Sequence, residues 1–370
     1  MIIDRVPRKL DISAPSRIRD AIAGLGRTED IKFSPNNRRL AIARFNDDRV
    51  CIFDISINPP QHGGCVEISS FVDISSPQLK GPHGLEFLDE QHLVVANRYG
   101  RTCIFAIPIG TSQRCELNPV AAIDPGNSGP GAIAVSQCAE GHEVWICNNF
   151  SNDVTRLVRT ESGHPDDSPS VVIKKWLDVP DGIAVSEDSR WIAVSNHNTH
   201  SVLLFKNGPT LSRETNPVGL LQDVSYPHGL SFAADGRFIL VADAGSPHVV
   251  VYENGSLAWN GVHKPALSIR VLTDEEFRRH RPNRQEGGPK GIDIDSTMSV
   301  LATTCEAQPV AFFDLGPILR QASDGAPAGS MRQTRAAVAL ALHRGRGRAA
   351  AVTLARSARN ALRDVLRRNG

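Results

Sequence analysis

The sequence predicts an all-β fold, a six-bladed β-propeller of four-stranded antiparallel blades, on three observations. Six segments superimpose, and each holds an apolar strand, a polar turn, a second apolar strand, a polar hairpin and a third strand. They begin at residues 28, 82, 130, 180, 227 and 289, so the period is 47 to 62 residues. Stretches such as SVVIKKWLDV supply a fourth strand between segments, and helical periodicity is nearly absent before residue 316. Four strands at this period are typical of propeller blades, which bury their faces against one another.

The two ends of the chain are predicted to differ from the repeats. The sixth segment has no fourth strand after it, whereas residues 1–26 precede the first segment. We expect those residues to complete the last blade, because closing the ring removes exposed strand edges. The predicted domains are therefore a propeller over residues 1–318 and a linker with a basic helical tail over residues 319–370.

Charge sets the tail apart from the body. Residues 320–370 contain eleven arginines and two aspartates, which leaves 30 basic and 38 acidic residues in residues 1–319. A helical period begins at Ala349, with leucine, valine and alanine on one face and arginine on another. The tail is predicted to dock on the acidic propeller or on an acidic partner. It has no aromatic residues, which makes nucleic acid or a membrane a less favoured partner.

Composition predicts a soluble, cytoplasmic protein. The first residues lack the apolar run of a signal peptide, and no segment approaches the roughly 20 apolar residues of a membrane span. The seven cysteines form no C-x-x-C pair, and several fall within apolar strands, so we expect reduced core residues.

Two positions of the repeat should face the central channel. The first follows the proline that begins each inner strand, and it varies while its neighbours repeat. Its six residues are Glu29, His83, Gly131, Asp181, His228 and Lys290. Blades 2 and 5 are opposite in a six-fold ring, so His83 and His228 should face each other. The second position ends the next strand and is predicted to bind substrate together with Lys290. Its residues are Arg44, Asn97, Asn148, Asn196, Asp243 and Thr304.

The P-x-G start found in four of the segments, the S-x-D or A-A-D-G turn and the A-N or S-N end of the second strand resemble the YVTN-type and lactonase-like propellers. They are also similar to the gluconolactonase/regucalcin and streptogramin B lyase groups, over about residues 27–315. In the gluconolactonase group, a glutamate, an asparagine and an aspartate hold a divalent ion. The resemblance places Glu29, Asp181 and His228 at the matching positions, and the histidine departs from that all-oxygen set.

Two interpretations of the first ring stay open at this point. Polar residues line a channel simply because it contains water, or the ring binds a ligand or a metal through Glu29, His83, Asp181 and His228. Imidazole with carboxylate favours zinc, manganese or iron over calcium. No nucleotide cofactor is expected, because DPGNSGPGA lacks the Lys-Ser/Thr of a P-loop and precedes a strand.

The leading hypothesis is an enzyme that acts on a small polar, anionic metabolite at one channel end, by metal-dependent hydrolysis of a lactone or ester. Asp181 or Glu29 would be the general base, His83 and His228 ligands or acid–base groups, and Lys290 an electrostatic clamp. A non-catalytic scaffold for a protein partner and a metal-assisted lyase are the alternatives. The loop at residues 278–290 could cover the channel mouth, and His197 and His200 are predicted to lie in a solvated turn whose first histidine could reach the rim.

Overall fold

The computed structural model describes residues 4–58, 64–108, 113–124, 128–139, 141–160, 169–279 and 285–325, together with Val338 and Leu342. These residues form six sheets arranged as a six-bladed β-propeller, as the repeat predicts. In each blade the strands run antiparallel, from an inner strand at the channel to an outer strand. Within the described residues, five blades have four such strands and the sixth has three.

The strands, from the inside outward, are as follows. Blade 1 comprises Thr28–Phe33, Arg39–Arg44, Arg49–Asn58 and Cys65–Ser75. Blade 2 comprises Pro82–Phe87, His92–Asn97, Thr102–Ala106 and Ala121–Ile123. Blade 3 comprises Pro130–Cys138, Gly141–Asn148, Asp153–Thr160 and Ser170–Ile173. Blade 4 comprises Pro180–Val185, Trp191–Asn196, Ser201–Lys206 and Gly219–Leu221. Blade 5 comprises Pro227–Ala233, Phe238–Asp243, His248–Glu253 and Leu267–Arg270, and blade 6 comprises Gly291–Ile294, Val300–Thr304 and Ala311–Asp314.

The inner strands form a closed ring around the axis. Each inner strand contacts the inner strands of the two neighbouring blades, and the strand of blade 6 contacts that of blade 1. At the outside, residues 8–10 lie against the third strand of blade 6. Lys9 forms an antiparallel bridge with Phe313, and the Leu10 amide donates to the Phe312 carbonyl at 2.8 Å. The start of the chain therefore lies at the blade edge that lacks a fourth strand.

The hydrophobic core is divided among the blade interfaces. The buried apolar side chains of the described residues fall into six clusters, one between each pair of neighbouring blades. Alternate residues of a strand face opposite sides, so one strand contributes to two clusters. The ring is thus held together by side chains shared between blades, which is how a propeller forms a core without one central layer.

Short parallel strands cover three outer edges. Asp4–Arg5 pairs with the outer strand of blade 5, and Gly261–His263 pairs with that of blade 4. Asp11–Ser13 and Gln113–Glu116 both pair with Cys65–Ser75 of blade 1. These additions protect backbone groups that an unpaired edge would expose.

Three α-helices lie outside the blades: α1 (Ser16–Ala23), α2 (Asp274–Arg279) and α3 (Leu315–Gly325). Ile18 of α1 is buried between blades 6 and 1, while Leu315 and Ile318 of α3 are buried between blades 5 and 6. Helix α3 therefore crosses the boundary at residue 318 that the sequence predicts. The arginine-rich helix expected from Ala349 lies outside the described residues. No helix among the described residues combines the length and the apolarity that a membrane crossing needs.

Candidate functional site

The repeated proline–x–glycine turn is explained by how closely neighbouring inner strands approach. A Cβ atom added to Gly182 would lie 2.0 Å from the His228 carbonyl oxygen, and one added to Gly84 would lie 2.6 Å from Cα of Ala132. Neither distance leaves room for a side chain, so close backbone approach requires glycine here. The residue before the glycine is under no such restriction, which is why it varies from blade to blade.

Four of these variable side chains meet on the axis, and all four are buried. Nε2 of His228 lies 3.4 Å from Oε2 of Glu29 and 3.3 Å from Oδ2 of Asp181. Nε2 of His83 lies 3.5 Å from the same Glu29 oxygen and 3.9 Å from Oδ1 of Asp181. The two imidazole rings are nearly parallel, with centroids 5.1 Å apart. His83 and His228 therefore face each other, as opposite blades of the ring predict.

His83 is held as a neutral imidazole. Its Nδ1 lies 2.6 Å from the carbonyl oxygen of Gly131, so Nδ1 carries the proton and donates it. Its Nε2 accepts a hydrogen bond of 2.6 Å from Nη2 of Arg98. Burial and the Arg98 charge lower the pKa of His83 to about 3, although Glu29 and Asp181 oppose that shift. The Nε2 lone pair therefore faces the centre of the ring at neutral pH.

Glu29 is ionised despite complete burial. Burial alone would raise its pKa, but the Lys290 ammonium and the nearby His83 hold it well below its ordinary value. Nζ of Lys290 lies 3.1 Å from Oε1 and 2.9 Å from Oε2, and Arg27 binds Oε1. Lys290 also pairs with Glu286 at 3.1 Å. Both carboxylate oxygens are thus bound by cations, and Oε2 also faces both histidines.

Asp181 is ionised for the same reason. Its pKa would rise on burial, and the charges of His228 and Arg98 lower it well below its ordinary value. Oδ1 accepts hydrogen bonds from Nη2 of Arg98 at 2.9 Å and from Nδ2 of Asn149 at 2.7 Å. Asn149 occupies the place that Gly131 leaves free, since a Cβ on Gly131 would lie 1.8 Å from Oδ1 of Asn149.

His197 joins the site from blade 4. Its Nε2 lies 3.4 Å from Oε1 of Glu286, and its Nδ1 lies 3.7 Å from Oδ2 of Asp181. Its side chain is buried, so the prediction of a solvated turn is wrong for this residue. His200 lies in the same turn and accepts a hydrogen bond from the Tyr226 amide instead.

The second ring lies one residue away from where the sequence places it. In blades 1 to 4 the residue after the second-strand end is the one at the site: Phe45, Arg98, Asn149 and His197. The six predicted positions form hydrogen bonds within loops. Asn97 accepts from the Lys80 amide at 3.0 Å, and Asn196 accepts from the Asp178 amide at 2.6 Å.

The other four predicted residues of the second ring also form hydrogen bonds with nearby residues. Asn148 donates to Asp153 and Thr155, Asp243 accepts from the Gly245 amide, Arg44 donates to Leu25 and Gly24 carbonyls, and Thr304 donates to the Pro309 carbonyl. These contacts give the side chains a structural role. Substrate binding by Arg44, Asn97, Asn148, Asn196 and Asp243 stays a prediction.

Above the ring is a cavity of about 290 Å³, open at one end of the axis. Its lining includes His83, Asp181, His228 and Lys290 from the predicted ring, and it further includes Arg27, Phe45, Arg98, Tyr99, Phe150, Val179, His197, Asn198, Gln285 and Glu286. Gln285 and Glu286 belong to the loop at residues 278–290 that the sequence places at the channel mouth, and residues 280–284 of that loop lie outside the described residues. Arg98, Asn149 and His197 could have been found by shifting the second ring by one residue. The repeat alignment does not single out Arg27 or Glu286, so the sequence pattern could not have predicted them.

Three buried polar atoms at this site have no hydrogen-bond partner in the described part of the chain. They are Nε of Arg98, Oδ1 of Asn149 and Nδ1 of His197. Buried polar atoms are almost always paired in native proteins. Arg98 and His197 both line the cavity, which indicates that a polar ligand or ordered water completes the site there.

Comparison with solved structures identifies the fold. Among 1253 matching chains, one is the X-ray structure of a protein named provisionally as a gluconolactonase, with a TM-score of 0.51. The match covers 79% of this chain and 89% of that chain at 14% sequence identity. This chain shares the propeller fold of that protein. Likeness at this identity extends to the fold alone. No protein-family model matches the sequence, and no curated protein does.

Three side chains of this lactonase-like propeller could hold a metal ion. Glu29, His83 and His228 each offer one ligand atom, and these atoms lie within 4.8 Å of one another. Ligands at 2.0–2.1 Å from a tetrahedral ion are about 3.3 Å apart, and the Glu29–histidine distances of 3.4 and 3.5 Å are close to that. The donor set fits a divalent cation when Arg98 moves off Nε2 of His83 toward Asp181, its existing partner, and Lys290 keeps only its bond to Oε1 of Glu29.

Proposed function

We propose that this lactonase-like propeller is a metal-dependent hydrolase that opens a lactone or a related ester of a small anionic metabolite. The observation that carries the proposal is the convergence of Glu29, His83 and His228 in one buried group, of which both histidines line the open cavity. Two imidazoles and a carboxylate favour zinc, manganese or iron over calcium, which prefers oxygen ligands. A divalent cation held there would polarise a carbonyl oxygen as a Lewis acid.

The surrounding charges suit an anionic substrate. Around the ring, the acidic groups Glu29, Asp181 and Glu286 balance the basic groups Arg27, Arg98 and Lys290. A bound divalent cation would make this balanced site positive. Substrate carboxylates would then be attracted to the cavity.

The remaining chemistry falls to the protein's own side chains. Asp181 stays ionised and is oriented by Arg98 and Asn149, so we assign it as the group that accepts the proton of an attacking water. Glu29 is anchored by Arg27 and Lys290, which suits a ligand better than a mobile base. Lys290 and Arg27 would stabilise negative charge on the substrate.

The first test measures metal content and lactone hydrolysis together. We expect tag-free protein to contain about one equivalent of zinc, manganese or iron by mass spectrometry, and expect His83→Ala and His228→Ala to lose most of it. Removing a metal ligand typically abolishes tight binding, whereas removing its supporting partner costs about 10–100-fold. Hydrolysis of a panel of lactones is followed in a pH-stat, with and without a chelator.

The matched control is His142→Ala. His142 lies on the second strand of blade 3, half-buried and away from the cavity, and its ring nitrogen Nδ1 bonds to the Gln137 side chain. Its substitution should leave metal content and hydrolysis unchanged. Metal-free parent protein that cannot be loaded, or equal metal content in all three histidine variants, would contradict the proposal.

A further inference from the structure

Three aromatic side chains form a continuous row at the cavity mouth. The centroids of Phe45 and Tyr99 lie 5.9 Å apart, and those of Tyr99 and Phe150 lie 6.4 Å apart. Tyr99 is 68% exposed and Phe150 is 53% exposed, although all three line the cavity. Large aromatic side chains at the surface beside a cavity mark a binding surface more often than scattered apolar residues do.

The backbone beneath this row is shaped to receive it. Gly81 and Gly129 have positive φ angles of 62° and 64°. A Cβ added to Gly81 would lie 3.0 Å from the Tyr99 ring, and one added to Gly129 would lie 2.5 Å from the Phe150 ring. The two rings therefore lie directly on the backbone of the turns that begin blades 2 and 3. This support fixes the position of both rings before any ligand binds.

The aromatic row adjoins charged residues of the same cavity. These are Arg27, Glu286 and Lys290, and the Arg27 guanidinium carbon lies 4.4 Å from the Phe45 ring centroid. Val179 extends the aromatic row toward blade 4 as a further apolar lining residue. The mouth of the cavity therefore carries an apolar strip of Tyr99, Phe150 and Val179, while charged side chains, Arg98 and Asp181 among them, line the deeper part.

We propose that the substrate is amphipathic: a lactone or ester with an alkyl or aryl substituent that packs on Tyr99 and Phe150, and a polar end that reaches Arg27 and Lys290. This substrate class rests on the proposed function. A fully hydroxylated sugar lactone fits less well, because ring faces offer its hydroxyl groups no hydrogen-bond partners. An apolar substituent instead removes both its own surface and the aromatic surface from water.

The test uses binding, so that it does not depend on catalysis. Hexanoate and acetate share a carboxylate and differ only in their apolar chain, and each is titrated into the full-length protein by saturation-transfer NMR. Each buried methylene favours binding, so hexanoate should bind at least about tenfold more tightly than acetate. In the double variant Tyr99→Ser/Phe150→Ser this ratio should fall below about threefold, since serine leaves little apolar surface.

The control is Val120→Ser, a substitution of a 56% exposed valine away from the cavity lining. It should preserve the parent ratio. Thermal unfolding of the double variant should resemble that of the parent, because both aromatic rings are more than half exposed.

Equal binding of the two carboxylates, absence of binding by either, or an unchanged ratio in the double variant would each overturn the proposal. Absence of binding would indicate a protein partner for the aromatic row. Tight hexanoate binding without hydrolysis of any lactone would support the amphipathic site and count against the hydrolase.

Discussion

Gly131 and Asn149 show how one residue completes a ring that the sequence repeat leaves incomplete. Blade 3 contributes no side chain at the position where its neighbours carry histidine and aspartate. The amide of Asn149 fills that space and donates to Asp181 at 2.7 Å. The ring is therefore continuous around the axis, although one member comes from a different strand end.

The dependence of these two residues on each other can be measured. A Cβ on Gly131 would lie 1.8 Å from Oδ1 of Asn149, so Gly131→Ala must displace a buried amide. We expect Gly131→Ala to lower the free energy of unfolding by about 1–3 kcal/mol, as overpacking does. In an Asn149→Ala background, Gly131→Ala should lower the free energy of unfolding by at least about 1 kcal/mol less than it does in the parent. The two substitutions are not additive, because the residues are in contact. Equal costs in both backgrounds, measured by denaturant unfolding, would show that Asn149 does not occupy this space.

The residues of the site differ in how far sequence could predict them. His83, Asp181 and His228 follow from the proline–x–glycine repeat, since closely packed inner strands fix the glycine and leave its neighbour free, and Glu29 follows from the alignment of Thr28–Phe33 with the other inner strands. Glu286 could not be found this way, because it lies in a loop with no counterpart in the other blades. Its place at the cavity depends on tertiary contacts with His197 and Lys290.

At the scale of elements, one backbone hydrogen bond between two loops recurs from blade to blade. The carbonyl of the residue before the proline accepts a hydrogen bond from the amide of the first residue after the second strand. The Arg98 amide donates to the Gly81 carbonyl at 2.9 Å, and the His197 amide donates to the Val179 carbonyl at 3.0 Å. This bond turns Arg98 and His197 toward the axis. The residue before the proline is left-handed, with φ of 62° at Gly81 and 55° at Val179. A β-branched residue there is strained, and such strain persists where surrounding contacts impose it.

Asp243, at the end of the second strand of blade 5, should make the stability of the protein depend on pH. Burial raises the pKa of Asp243 to about 6, against hydrogen bonds from Ser246, Ser225 and Gly245. A raised pKa means that its stabilising contribution is complete below its ordinary value of 3.8 and is lost as pH rises through about 6. The loss amounts to about 3 kcal/mol for a shift of this size.

Asp243→Asn removes the titration and keeps an amide like those of Asn97 and Asn196. Its free energy of unfolding should therefore exceed that of the parent by about 2–3 kcal/mol at pH 8 and by little at pH 4. Denaturant unfolding at both pH values measures this difference. A difference that does not change with pH would mean that Asp243 is not the titrating group.

The blades were predictable from sequence because six copies of one strand pattern reinforce one another. Helices α1 and α3 were not, because each contains too few turns for a helical period to stand out. Ser16–Ala23 buries only Ile18, so its pattern carries a single strong apolar position. Both helices form because blade interfaces next to them have apolar surface to cover.

At the scale of the whole molecule, residues from outside the blades complete several interfaces. Val338 and Leu342 are helical, lie one turn apart and are buried in the cluster between blades 3 and 4. That cluster also contains Trp145 and Phe205. We propose that the tail docks on its own propeller through these two apolar residues, and not through its arginines alone.

Leu342→Ala tests this docking. Truncating a buried leucine costs about 2–5 kcal/mol, so we expect the free energy of unfolding to fall by about 2 kcal/mol. Val120→Ala, at an exposed site, should change it by less than about 0.5 kcal/mol. A Leu342→Ala variant as stable as the parent would indicate that the tail does not contribute to this interface.

The bridge between Lys9 and Phe313 has a consequence for how the chain is made. A ribosome adds about 5–20 residues per second, so these partners leave it roughly 15–60 s apart. During that interval the first blade has no neighbour on one side, and Leu40, Ile42 and Phe53 lack the blade 6 side chains that cover them in the finished ring. A nascent chain in this state exposes both apolar surface and strand edge. Ribosome stalling within the last blade should therefore yield an aggregation-prone product, even though five blades have been synthesised.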